Sequence, residues 1–282
     1  MEKGILNSSL RSMISVILLL SGLTARSQNE THTSAHSLYA GAGFTSNMVY
    51  MGTSISQDKP VYSGSLTYSF KDKLYLSAST YHLSAFDPFL ALHTITLSYN
   101  QTINSWFDIS ADISRYQVAP SLTDTLFKNF VYGNLSAGFD WKILYTKLSV
   151  GGVLSEESGT YLQVRNSRYF QTPDFADGKV YISFDPYINM LFGTLTSTKT
   201  SEGTTIGISQ PFRSDKSGRN STQNTTTFFG LTELDMRIPV SFNADRFTLE
   251  AEPGYVYTLY SDTEIFNPKG FIFMVSCTFK IF

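Results

Sequence analysis

The chain holds one cysteine, Cys277, in 282 residues. A disulfide framework is therefore excluded, and Cys277 reads as a small apolar residue on a strand. Charge is scarce too: 16% of residues are Asp, Glu, Lys or Arg and the formal net charge is −2. No basic stripe of the kind a nucleic-acid binder carries is present, so nucleic acid is not expected as a partner. After the first segment no apolar run reaches the roughly 20 residues that a membrane-spanning helix needs. That shortage excludes a helical membrane protein but not a barrel. A phosphate-binding loop, a GxGxxG run after a strand and a Cys/His metal constellation are all missing, so neither cofactor nor metal is expected.

Aromatic residues, in contrast, are abundant: 17 Tyr and 22 Phe bring the aromatic share to 15%. An aromatic-rich, charge-poor composition suits β-structure. The closing stretch GFIFMVSCTFKIF sets Phe271, Phe273, Val275, Cys277, Phe279 and Ile281 on one parity and Ser276, Thr278 and Lys280 on the other. This is the period-two signature of a strand between two different environments. Phe282 shares the parity of Lys280, so either the last residue frays from the ladder or a bulge resets the register.

Segments of this kind recur twelve times, near Leu38–Gly52, Val61–Phe70, Lys73–Leu83, Ala91–Thr102, Ser105–Tyr116, Phe130–Trp141, Leu144–Leu154, Thr160–Phe170, Lys179–Leu195, Thr227–Phe242, Arg246–Leu259 and Gly270–Phe282. Many of their polar positions are ionisable, which a solvated lumen tolerates and a packed core does not. The links between them tend to alternate in length. Lys71-Asp72, Ile103-Asn104, Lys142-Ile143 and 243–245 are short, whereas 53–60, 84–90, 117–129, 196–226 and 261–269 are long. Short turns on one side and long loops on the other mark outer-membrane barrels, and an even strand count returns both termini to the short-turn, periplasmic side. The expected fold is all-β: a single antiparallel transmembrane barrel of about 12 strands over residues 38–282. Pro186 and Pro253 fall inside expected strands and predict bulges or strand ends. Aromatic pairs at strand ends, such as Trp106-Phe107 and Phe139 with Trp141, fit girdles at the two membrane interfaces.

The first residues carry Lys3 and Arg11, an apolar run from Met13 to about Leu23, and Ala25-Arg26-Ser27. They read as a cleaved signal peptide over 1–27, followed by a short N-terminal segment over 28–37. The expected location is the outer membrane, with its lipids and the barrel-insertion machinery as partners.

The stretch TSNMVYMGTSISQDKPVYSGSLTYSF, Thr45 to Phe70, resembles the first hairpin of a conserved-hypothetical, porin-like family of bacterial outer-membrane barrels. Thr45-Ser46, Tyr50, Gly52, Ser54, Lys59-Pro60, Gly64 and Tyr68 fit that pattern without gaps. Asn47 and Met51 stand where the family has Asp and Arg, so any role of those two positions does not carry over. The resemblance implies an outer-membrane barrel and brings no catalytic residues. More broadly, the Ser/Tyr/Asn-rich style resembles outer-membrane barrels of Bacteroidetes-type bacteria.

Barrel enzymes that act on lipids place a Ser and a His near the outer rim. His82 and Ser84 share a parity near the top of the third segment, but no third member accompanies them, so no catalytic residue is expected. His82 and His93 fall on opposite sides of the wall by parity and make no metal pair. The polar parity instead directs Asp108, Asp112, Asp140, Asp185, Glu233, Asp235, Glu250 and Glu252 inward, against Lys147, Arg165, Arg237 and Lys280. Eight acids against four bases predict a negative lumen, and hence a passive channel preferring small cationic solutes. Glu233, Asp235, Glu250 and Glu252 around Arg237 and Lys280 form, in the alternative, a brace in a plugged lumen of a structural or partner-binding barrel. A lipid-modifying enzyme ranks below both.

Overall fold

The computed structural model describes residues 35–123, 126–154, 159–175, 180–200, 203–208, 224–260 and 268–282. The expected signal peptide and most of the 196–226 link lie outside the described residues.

Twelve antiparallel strands close into a barrel. They are β1 (His36–Thr45), β2 (Val61–Phe70), β3 (Leu74–Leu83), β4 (Leu92–Asn104), β5 (Phe107–Val118), β6 (Phe130–Asp140) and β7 (Tyr145–Leu154). After them come β8 (Thr160–Ser167, then Phe170–Gln171), β9 (Val180–Phe184, then Tyr187–Thr200), β10 (Asn224–Arg237, then Val240–Ala244), β11 (Phe247–Thr258) and β12 (Lys269–Lys280). Each strand pairs with its sequence neighbour, and β12 closes onto β1 in the register Tyr39↔Lys280 through Thr45↔Met274. Closure removes the unpaired edges that an open sheet would present. A further strand, Gly203–Ile208, pairs with the outer part of β9. No helix is long and apolar enough to cross a membrane among the described residues, a finding that says nothing against a barrel.

The alternation sorts the side chains as the pleat requires. Leu66, Leu76, Ile95, Leu97, Ile113, Leu135 and Val150 stand exposed on the outer face. The inner face is rich in hydroxyls, which bond across strands: Thr67 to Ser77 at 2.9 Å, Thr96 to Ser114 at 2.9 Å and Ser136 to Ser149 at 2.8 Å. Such pairs hold register while leaving the inner surface polar.

Four details differ from the sequence expectation or resolve it. First, β1 stops at Thr45 instead of continuing to Gly52, because the Thr45 hydroxyl turns to donate to the Asn47 carbonyl at 2.8 Å and the chain leaves the wall. Second, the expected outer link 53–60 does not stand off but folds, together with 46–52, into the mouth. Third, Pro186 does interrupt β9, whereas Pro253 stays within β11 and the break falls in its partner β10, at Ile238-Pro239. The Pro253 carbonyl still accepts from Ile238 N–H at 3.0 Å, which a proline permits. Fourth, the chain end is reset by a bulge: Ile281 N–H donates to the Leu38 carbonyl at 2.7 Å while Leu38 N–H donates to Phe282 O at 3.1 Å. Two residues thus oppose one, and Phe282 keeps its place beside β1.

Candidate functional site

The outer mouth of the barrel is filled by the chain between β1 and β2. Val49-Tyr50 and Thr53-Ser54 form a small hairpin whose turn is Met51-Gly52. Both turn residues have positive φ, +50° and +85°, as a two-residue hairpin turn of the primed type requires. Asn47 organises the base of this hairpin. Its carbonyl oxygen accepts from Ser54 Oγ at 2.6 Å and Ser56 Oγ at 3.0 Å, and its amide donates to Asp58 at 2.6 Å. The side chains of Asn47, Ser54, Ser56 and Asp58 thereby satisfy one another within the loop, leaving its apolar side chains to pack inward.

They pack against a ring drawn from most of the barrel. Met51 and Ile55 join Val61, Leu83, Leu92, Val118, Phe130, Val153, Tyr161, Leu191, Leu195 and Tyr260 in one buried cluster, with Leu122 and Phe127 of the β5–β6 loop. Tyr50 lies 5.1 Å from the Tyr116 ring and 6.4 Å from Phe130, and Tyr116 stacks on Phe130 at 4.7 Å. Burial, and after it the neighbouring Tyr116, push the Tyr50 phenol well above its usual range. The turn itself is pinned from the opposite wall: the Tyr260 hydroxyl donates to the Gly52 carbonyl, and Glu233 of β10 accepts from the Gly52 backbone N–H. Neither Tyr50, Gly52 nor Tyr260 was singled out by sequence reasoning as a lumen element. The signal available was the apolar run Met48, Val49, Tyr50 and Met51, which breaks the alternation at the end of the first expected strand, with Ile55 in the link after it.

Below the plug lie the residues expected to line the lumen. Arg237 Nε donates to both Asp235 oxygens at 2.9 Å, and its Nη1 lies 2.9 Å from Glu252 Oε1, to which the Tyr187 hydroxyl also donates at 2.8 Å. Arg165 pairs with Asp185 at 3.2 Å, and its guanidinium sits 3.8 Å from the Tyr187 ring centroid. Tyr187 therefore joins two ion-pair groups into one band on β8 to β11. The remaining acids are dispersed. Asp108 accepts from Tyr145 Oη at 3.0 Å, Asp112 from Asn134 at 3.1 Å and Glu250 from Ser241 at 2.6 Å. Asp140 is exposed and accepts the Lys142 N–H of the turn at 2.7 Å, so it caps a turn at the rim. Lys147 stands opposite Arg165 and Lys280 opposite Tyr39. Lys280 thus lies outside the group, and of the four acids expected to bracket the two cations Asp235 and Glu252 pair with Arg237.

The two histidines face the same way, against the expectation. His82 pairs with exposed Tyr62 and His93 with Thr80, both of the outward parity. His82 Nδ1 lies 2.9 Å from the Phe89 carbonyl and its ring stacks on Phe89 at 4.6 Å, a rim arrangement rather than a Ser–His pair. No group of three His, Cys, Asp or Glu converges on a metal position among the described residues.

No protein-family model matches the chain, and no curated protein matches it by sequence. Among solved structures it is similar to LpxR from Salmonella typhimurium, at 8% identity and a TM-score of 0.45, over 86% of this chain and 99% of that one. The NanC porin is similar at 6% identity and 0.45, over 86% and 100%. The CymD monoaromatic hydrocarbon channel is similar at 9% and 0.33, over 89% of each chain. These are bacterial outer-membrane barrels of differing activity, and at such values the likeness assigns none of those activities to this chain.

Proposed function

We propose that the protein is an outer-membrane barrel that is shut at rest, a structural or partner-binding barrel rather than a standing pore. The observation that carries this reading is the apolar plug: Ile55 is 4% exposed inside a cluster that spans the mouth. A water-filled passage does not coexist with such a cluster at the same level, because hydrated ions cannot cross it. The outer membrane is the location that the exposed apolar face and closed sheet support, since only helices and closed barrels satisfy their backbone in lipid. With the mouth closed, the surface offered outward at the described residues is the plug with the β3–β4 and β5–β6 loops, whose Ala91, Leu122 and Phe127 pack against it, and a partner would meet the barrel there. No enzyme activity is proposed, because the rim histidine is committed to Phe89.

A second reading is supported by the charges of inward parity, seven acids and four bases once Asp140 is placed at the rim turn. If the plug is displaced, the interior acids outnumber the bases and cations are the preferred solute. The test is leakage from vesicles loaded with a small cationic dye: the wild-type chain leaves the dye inside, and steady leakage at the first time point counts against the closed reading.

A further inference from the structure

The wall is interrupted at one level in three neighbouring strands. β8 breaks after Ser167, β9 at Pro186 and β10 at Pro239. Single hydrogen bonds bridge the gaps: Arg168 N–H to the Pro186 carbonyl at 3.1 Å, Asp185 N–H to Pro239 at 3.2 Å and Ile238 N–H to Pro253 at 3.0 Å. The three prolines lack the N–H that would continue a ladder, so the sequence itself writes this interruption into the sheet.

At that level the outer face carries a groove of about 570 Å³, lined by Leu144, Ile188, Ile238, Tyr255 and Phe271 with Arg168 among them. Ile188, Ile238, Tyr255 and Phe271 are exposed on the outward face of the barrel. The volume lies in the range of small-molecule sites. Apolar walls of this kind give a polar occupant no partners, so the buried part of whatever fills the groove must be hydrocarbon. Its charged rim is equally specific. Arg168 donates to the Lys142 carbonyl, which sets the two basic residues side by side, and both are exposed. Trp141, Tyr169 and Phe170, each more than half exposed, flank them as an interfacial aromatic belt would. One guanidinium donor is taken by Lys142, and the rest of the fork is open to a phosphate.

We propose that this groove binds a phospholipid of the periplasmic leaflet, one acyl chain in the groove and the phosphate against Arg168 and Lys142. The inference rests on the membrane reading above. The periplasmic leaflet follows from position: Lys142 belongs to one of the short turns at the end of the barrel where both termini gather.

The full chain, folded in lipid-free detergent, is inserted into vesicles of phosphatidylglycerol and phosphatidylethanolamine, with and without an outer-leaflet glycolipid, then re-extracted gently and weighed by native mass spectrometry. The wild type retains one phospholipid. Occupancy falls about tenfold when Lys142→Ala and Arg168→Ala are combined, removing two phosphate contacts, and a similar loss follows Ile188→Trp, which fills the groove. Equal retention by wild type and both variants, retention of the glycolipid in preference, or no retention by a chain that does insert overturns the groove. A chain that fails to insert, seen by unchanged gel mobility on heating, overturns the membrane reading and the groove with it.

Discussion

Gly254 occupies a position where a side chain would strike its neighbours. A Cβ there would lie 2.5 Å from Arg237 Cγ and 2.7 Å from the Met236 carbonyl. The missing side chain lets Arg237 lie across β11 and reach Glu252. Gly254→Ala is expected to lower stability by about 1–3 kcal/mol, the usual range for forced overpacking. Arg237→Ala removes the clash partner but leaves Asp235 and Glu252, each 6% exposed, facing one another without a cation. Breaking a buried pair in this way costs about 3–5 kcal/mol, so Arg237→Ala should be the more damaging change. Urea midpoints of the detergent-folded barrel, followed by gel mobility, check both. Midpoints equal to the wild type would show that the Asp235–Arg237–Glu252 group does not brace the wall.

The plug is the element on which function turns, and it is held both by its own turn and by the wall, through Tyr260, Glu233 and the shared apolar cluster. Its polar atoms close on Asn47 and its apolar residues reach a cluster that also includes the β5–β6 loop. Ile55→Asp buries an unpaired carboxylate in that cluster, a change no local hydrogen bond offsets. The expected result is a loop that leaves the mouth and is nicked by protease within residues 46–60, while the heat-dependent gel shift of the barrel persists. Loss of that shift would mean that plug and wall fold as one unit.

At this scale the twelve strands were legible in the sequence because period-two patterning sets lipid-facing residues such as Ile95 and Leu97 in alternation with hydroxyls such as Thr96 and Ser98. The plug was not legible for the same reason: Val49-Tyr50 continues the alternation, so periodicity prolonged β1 to Gly52 and left Thr53-Ser54, the other arm of the hairpin, in the link that follows. What separates them from the wall is Asn47, whose three side-chain bonds belong to a turn and leave no mark on the pattern. For Asp235, Arg237 and Glu252 the parity of each strand indicates a face. Their pairing depends on strand stagger, which no single strand encodes. Of the two histidines only His82 was misplaced: it shares the parity of outward Leu74 and Leu76, whereas His93 lies on the apolar face with Ile95 and Leu97, as its own strand indicates.

The whole molecule couples a polar, hydroxyl-lined interior to an apolar lid made from its own first loop, and conductance reports directly on that coupling. Single-channel recording of the purified chain in a planar bilayer, beside a variant in which residues 47–59 are replaced by a short Gly-Ser link, tests the account most directly. The wild type is expected to stay silent. The shortened variant should conduct, with a reversal potential in a salt gradient that favours cations, as seven acids against four bases on the inward parity predict once Asp140 is set aside at the rim. Steady wild-type currents that removal of the loop leaves unchanged would contradict the closed barrel.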